Sequence, residues 1–162
     1  IYSLPALRTC PFKLFNVGRL DYMTEGILLL TNDGELAYRL SHPKFHIPRM
    51  YHVKLPARLS GFQLKQLQTG IGLEDGKTEQ IDVKFLSHEH GGRSGLAGYW
   101  YSLVVHEGRN RLVRRIFSFF DLEVLRLVRY RFGELKLPMD LQPGSYRQLT
   151  KNEIENLKSE NC

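Results

Sequence analysis

Cysteine is nearly missing from this chain, with two in 162 residues, at positions 10 and 162. Two thiols at opposite ends form neither a disulfide framework nor the spaced ligand set of a zinc site, and they fit a reducing compartment. No apolar run approaches the roughly 20 residues that span a bilayer, so the chain is expected to be soluble. The opening IYSLPALRTC lacks both an initiating Met and a charged-then-apolar leader. The expectation is a fragment or processed chain whose N-terminal part is absent. Repeats and low-complexity tracts are also missing. His88 and His90 stand in the Gly-rich stretch HEHGGRSG, where they are expected as solvated loop residues, and no metal site is expected.

What is present is globular: 42% hydrophobic and 25% charged residues, enough for one domain or a compact pair of subdomains. The net charge of +6 points weakly to a polyanionic partner, and its distribution points more strongly. Between Tyr101 and Arg131 there are seven arginines (109, 111, 114, 115, 126, 129 and 131), no lysine and three acids, Glu107, Asp121 and Glu123. Arginine offers a planar fork to phosphate and stacks on bases, so an arginine-only cluster favours a nucleic acid over a merely solvated face.

The element pattern is mixed. GILLLT (26–31) reads as a short buried strand, and Asn32-Asp33 offers a turn and an N-cap for a helix over GELAYRLSH that ends before Pro43. RMYHVKL (49–55) alternates as a half-buried strand. Ser60 and Gln63 have the spacing of a capping box before a helix that stops at Gly70. LEDG contains an Asp-Gly turn, IDVKFL (81–86) and YWYSLVVH (99–106) read as strands, and HGGRSGLAG (90–98) as a flexible loop. Apolar residues from Leu112 to Phe120 form a helical stripe within 109–120. EVLRLVRYRFG (123–133) is expected as a strand with one buried face and one arginine-lined face. Thr150 and Glu153 cap a last short helix. The expected class is α+β, a mixed and mostly antiparallel sheet with flanking helices.

One acid stands out. In VGRLDYMTEGILLLTNDG (17–34), Asp21 sits beside Arg19 at the mouth of the apolar run. A buried carboxylate is costly without a partner, so an arginine is expected nearby. EGRNRLVRR (107–115) supplies candidates, with Arg111, Arg114 and Arg115 close together on a helix and Leu112, Val113 and Ile116 burying the other side. Spacing alone does not choose among them. Asp21 also reads as an ordinary turn-capping or salt-bridging residue, and Tyr51 as an ordinary strand aromatic. Pairing Asp21 with Glu25 or Asp33 as a carboxylate-pair hydrolase has no distinctive spacing.

Five blocks in order, VGRLDYMTEGILLLTNDGELAYRLSHP, RMYHVKL, HEGRNRLVRRIF, RLVRYRFGELKLP and LQPGSYRQLT, resemble the catalytic domain of bacterial-type ribosomal RNA pseudouridine synthases, in the RsuA-like branch. The match runs from Phe15 to Leu157. The resemblance implies Asp21 as the catalytic residue, Tyr51 against the target uracil, and Arg114 as the partner of Asp21. It implies that Arg19 holds the target nucleotide out of the helix, and that Arg109 and Asn110 belong to the surrounding site. Arg111, Arg115 and Arg129 join the RNA-binding set. Leu112 departs from the polar residue more usual there and is expected to pack inward. The family domain usually begins with a Lys-Pro strand, often after a small RNA-binding domain, and residues 1–162 are expected to be a catalytic domain lacking both.

That likeness implies base flipping, cleavage of the glycosidic bond and reattachment of uracil through carbon 5, by a nucleophilic or a glycal route. Uracil is both leaving group and returning nucleophile, so no cofactor is expected. The expected substrate is ribosomal RNA, with a large-subunit (23S-type) target favoured over a small-subunit (16S-type) one, and the expected state is a monomer. A bacterial cytoplasm is the default compartment, with a plastid as the eukaryotic counterpart. A catalytically silent RNA-binding module is one alternative, against which Asp21 argues. The other is a glycosidase or nuclease, which would need a second acid in the site.

Overall fold

A computed structural model describes residues 10–90 and 97–159. Its elements in chain order are β1 (Phe15–Val17), β2 (Glu25–Gly26), β3 (Leu29–Thr31), α1 (Gly34–Ser41), a 3-10 turn (Pro43–Phe45), β4 (Arg49–Leu55), α2 (Gly61–Thr69), β5 (Gly72–Leu73), β6 (Gly76–Lys77), β7 (Asp82–Glu89), β8 (Gly98–Val105), α3 (Leu112–Ser118), β9 (Arg126–Phe132), β10 (Leu135–Lys136) and α4 (Lys151–Ser159). The main sheet runs β10-β9-β4-β8-β7, all antiparallel, with β2 joining β9 in parallel. The mixed, mostly antiparallel α+β expectation is met. Among the described residues no helix is long and apolar enough to cross a membrane.

The expected helix starts are capped as read. The Asp33 side chain accepts from Leu36 N–H at 3.0 Å. Ser60 and Gln63 exchange bonds of 2.9 and 3.2 Å as a capping box. Glu153 N–H donates to the Thr150 hydroxyl at 3.3 Å, and the Glu153 carboxylate accepts from Thr150 N–H at 2.8 Å. These interactions lie within four residues, so local sequence specifies them.

Two apolar cores form. One face of the sheet carries Val53, Leu55, Tyr101, Leu103 and Leu127, which α2 and α3 cover with Leu67, Leu112, Val113, Ile116 and Phe117. A second core gathers Val17, Ile27, Leu29, Leu36, Leu40, Ile47, Phe132, Leu135 and Leu157 around α1, β1, β3 and α4. The seam between them is where the cleft described below opens.

Four expectations change. GILLLT is not one strand: Gly26 pairs with Arg129 of β9, whereas Leu29–Thr31 pairs antiparallel with β1 in a separate two-stranded sheet. The helix stripe begins only at Leu112, because Arg111 is left-handed (φ 48°, ψ 29°) and ends the preceding turn. The arginines of β9 do not share one face. Arg126 opposes Lys54 and Arg131 opposes Met50 on the reverse side, while Arg129 opposes Tyr51 on the helix-covered side. A register shift at Met50/Tyr51 leaves Tyr130 as an extra residue and turns Arg129 and Arg131 to opposite faces. Finally, His88 is in β7, stacked on Tyr99 with ring centroids 4.4 Å apart, not in the loop. Residues 91–96 of that loop lie outside the described residues.

Gly26 is required where it stands. Its φ is +110°, and a Cβ there would lie 2.3 Å from the carbonyl oxygen of Arg129. A substitution must separate β2 from β9. Gly61, at the start of α2, has open space around it. Gly26→Ala is therefore expected to cost about 2 kcal/mol or more, and Gly61→Ala to stabilise by a few tenths up to about 1 kcal/mol, as read by urea unfolding. Equal effects would show that the β2–β9 contact is slack.

Candidate active site

A cleft of about 400 Å³ opens along the seam. It is lined by residues 18–21 and 24, by Arg49 and Tyr51 of β4, by 107–114, and by Leu127 and Arg129 of β9. Most of the residues singled out in the sequence therefore meet in one place, although Arg115 is not among its lining residues.

Asp21 is carried by a loop between β1 and β2. Gly18 (φ +69°) starts the turn, and Thr24 N–H donates to the Asp21 carbonyl at 2.8 Å. Tyr22 and Met23 stand at the exposed tip, Tyr22 fully so. Arginines fasten this loop to the sheet. Arg129, only 2% exposed, donates to Ile27 O from Nε at 2.8 Å and Nη2 at 2.6 Å, and to Arg19 O from Nη1 at 3.1 Å. Arg126 donates to both oxygens of Glu25 at 2.8 Å, which holds that carboxyl below its usual pKa. Arg114 Nη2 donates to Met23 O at 2.6 Å, and its Nη1 to Val124 O at 3.3 Å.

The expected Asp21–Arg114 pair is thus replaced by a grip on the loop backbone two residues along. Among the described residues the half-buried Asp21 carboxylate makes no hydrogen bond or ion pair. It faces a cleft whose wall is rich in arginine.

Three arginines expected at RNA are engaged inside the protein. Arg129 spends all three of its donor nitrogens on carbonyls, as above. Arg109 donates to Asp75 at 2.8 Å and Gly76 O at 3.0 Å, and its Nε pairs with Glu107 at 2.8 Å. Arg115 forms a two-pronged pair with Asp75, one bond being 2.9 Å, and reaches Asn110 O at 3.3 Å. Arg19 and Arg111 are exposed and make no side-chain bond among the described residues. Asn110 is exposed beside them. Leu112 is buried and lines the cleft, as its departure from a polar residue suggested.

Sequence reasoning missed Arg49. Its signal was strand period alone, two residues before Tyr51 and therefore on the same face. It is 6% exposed, donates once to Leu40 O at 3.4 Å, and leaves Nη1 buried without a partner. That nitrogen lies under Gly108, where an added Cβ would come within 3.6 Å. Burial pulls the Arg49 pKa down and the Arg129 charge adds to this, with Tyr51 opposing. Both guanidiniums lie about one ring-contact from Phe132, 5.3 and 5.4 Å from its centroid. Neither is paired with a carboxylate among the described residues, so the cleft floor is electropositive. The arrangement suits a ligand that brings or develops negative charge.

Comparison with known proteins identifies a family. Residues 5–119 match the family model described as RNA pseudouridylate synthase. The chain is 42% identical over 157 residues to ribosomal large subunit pseudouridine synthase B of Pseudomonas aeruginosa, covering 97% of this chain and 39% of that protein. It is 40% identical over 152 residues to the protein of the same name from Bacillus subtilis, covering 94% and 60%. A crystal structure of a pseudouridylate synthase superposes with a TM-score of 0.80 at 33% identity, covering 90% of this chain and 60% of that one. The chain thus spans between two fifths and three fifths of the length of these relatives. With these matches across most of its residues, the chain belongs to the RNA pseudouridylate synthase family.

Proposed function

We propose that this cleft converts a uridine of ribosomal RNA, of the large subunit, to pseudouridine, and that Asp21 is the catalytic residue. The observation that carries the reading is the free carboxylate of Asp21, held on a braced loop at the edge of an electropositive cleft. A glycosidic bond inside a helix is out of reach, so the target nucleotide must be turned out and inserted. Arg19, Asn110 and Arg111 are the exposed groups at the rim that contact the RNA backbone and hold the displaced nucleotide.

The reaction balances without a cofactor. The N1–C1′ bond breaks, C5–C1′ forms, the C5 proton departs and N1 gains a proton. Asp21 acts either as a nucleophile or as the base that takes a sugar proton. A carboxylate with no partner already bound is available for both roles. Uracil leaves carrying negative charge, which Arg49 Nη1 and the field of Arg129 stabilise in a site shielded from water. Tyr51, half-buried on the same face as Arg129, covers the base, excludes water from the activated sugar and is placed to take the C5 proton directly or through water. Arg114 serves the reaction by fixing the Asp21 loop through Met23. The large-subunit target follows the names of the two relatives above, and the place of action is the bacterial cytoplasm. Residues 1–162 act as the catalytic domain, as a monomer.

Release of tritium from ribosomal RNA labelled at uridine C5 tests this reading. Asp21→Asn is expected to lower release by about three orders of magnitude or more while RNA affinity is kept. Loss of affinity with turnover intact, or no release from the full-length unsubstituted protein on free and ribosome-bound RNA, would leave only an RNA-binding module. An RNA product of changed mass would point to a glycosidase or nuclease instead.

Arg49→Met separates function from stability. Removing a buried charge that lacks a carboxylate should leave the melting temperature unchanged or raised. Turnover should fall about a hundredfold, as for loss of one donor to a developing anion. A large drop in melting temperature with normal turnover would make Arg49 a structural residue.

A further inference from the structure

We propose that Asp75, at the tip of the β5–β6 hairpin, is a positioning residue for the cleft. It acts through Arg109 and Arg115 to hold the 107–115 turn so that Arg111 is presented to the substrate and Arg114 to the Asp21 loop. The proposal rests on the function assigned above for its consequence, though not for its geometry.

Asp75 is outside the cleft lining and touches no reacting group. Its carboxylate receives one bond from Arg109 and two from Arg115. These arginines flank Arg111 on both sides. Arg115 also bonds Asn110 O at 3.3 Å, and Glu107 receives Arg109 while accepting from Glu79 N–H at 3.0 Å. The turn is thus held from outside by the Asp75 carboxylate and the Gly76 carbonyl, and within itself by Glu107 and the Asn110 carbonyl. Such closure is needed because Arg111 is left-handed with no glycine to ease it, a conformation that persists only where its surroundings over-determine it. The helix start at Leu112 has no side-chain cap to do this locally.

The hairpin makes a firm anchor. At its root, Ile71 and Thr78 are both buried, with Ile71 N–H donating to the Thr78 hydroxyl at 2.9 Å and Thr78 N–H to Ile71 O at 2.8 Å. Ile71 belongs to the main core. A single exposed ion pair would contribute little, but a carboxylate bridging two arginine forks on a fixed hairpin has directional bonds to lose. The Arg115 hydrogen bonds, with both arginine charges, hold the Asp75 carboxyl down to about 2. Its contribution is therefore present above the ordinary carboxylate range and is lost only as pH falls toward 2, which rules the clamp out as a physiological pH switch.

The test compares Asp75→Asn, Asp75→Glu, Arg111→Ala and the Asp75→Asn/Arg111→Ala double variant in the full-length protein. Tritium-release kinetics are read beside native-state hydrogen exchange at the Leu112 and Arg115 amides. Asp75→Asn is expected to raise KM about ten- to a hundredfold with a smaller fall in kcat, and Asp75→Glu to recover most of it. The effect of Arg111→Ala should largely vanish in the Asn background, since its side chain is then already misplaced. Exchange at the two turn amides should quicken while β4 and β8 are unchanged. Unaltered exchange, additive effects, or a lowered KM would overturn the proposal, the last by showing that Asp75 merely competes with RNA for two arginines. An unsubstituted protein that releases no tritium would overturn the proposed function, while exchange at the turn would still decide whether Asp75 holds it.

Discussion

A buried guanidinium holding backbone carbonyls is the contact on which the cleft depends. Arg129 grips Ile27 and Arg19, and its own carbonyl accepts from Ile27 N–H at 3.0 Å. Strand and loop are therefore tied through both main chain and side chain. A charge buried without a carboxylate is expensive, and three carbonyl bonds offset that cost while leaving the net positive charge in place. Structural support and electrostatic potential come from the same group. Gly26 allows this by letting β2 come close enough to β9 for the bonds to form.

The distribution of arginine partners changes the meaning of a +6 chain. Arg109 and Arg115 are neutralised by acids, Arg126 is paired with Glu25, and Arg114 and Arg129 bind carbonyls. Only Arg19 and Arg111, of the arginines lining the cleft, are exposed and unpaired among the described residues. Most of the basic cluster builds the site, and a small part is free to meet a polyanion.

Local features were legible in the sequence. Asp33, Ser60–Gln63 and Thr150–Glu153 are caps whose partners lie within one helical turn, and alternation in RMYHVKL reports a strand. Features set by distant contacts were not. Nothing near Gly26 says that its run will break to pair with two different strands, because the reason lies in Arg129. The bulge at Tyr130 puts Arg129 and Arg131 on opposite faces, and no period-two reading anticipates an extra residue. The partner of Arg115 is 40 residues earlier, in a hairpin whose sequence signals only an Asp-Gly turn. The residue gathering at the cleft was legible through family likeness, whereas the pairings inside it were not.

The hold on the Asp21 loop by Arg114 and Arg129 ends on main-chain oxygens, which every amino acid possesses. Side chains at Leu20, Tyr22 and Met23 can therefore be exchanged without altering those anchors. The Asp21 carboxylate and the exposed side chains next to it are therefore separable along five residues of chain. Such a loop can diversify at its tip while the carboxylate beside it stays in place.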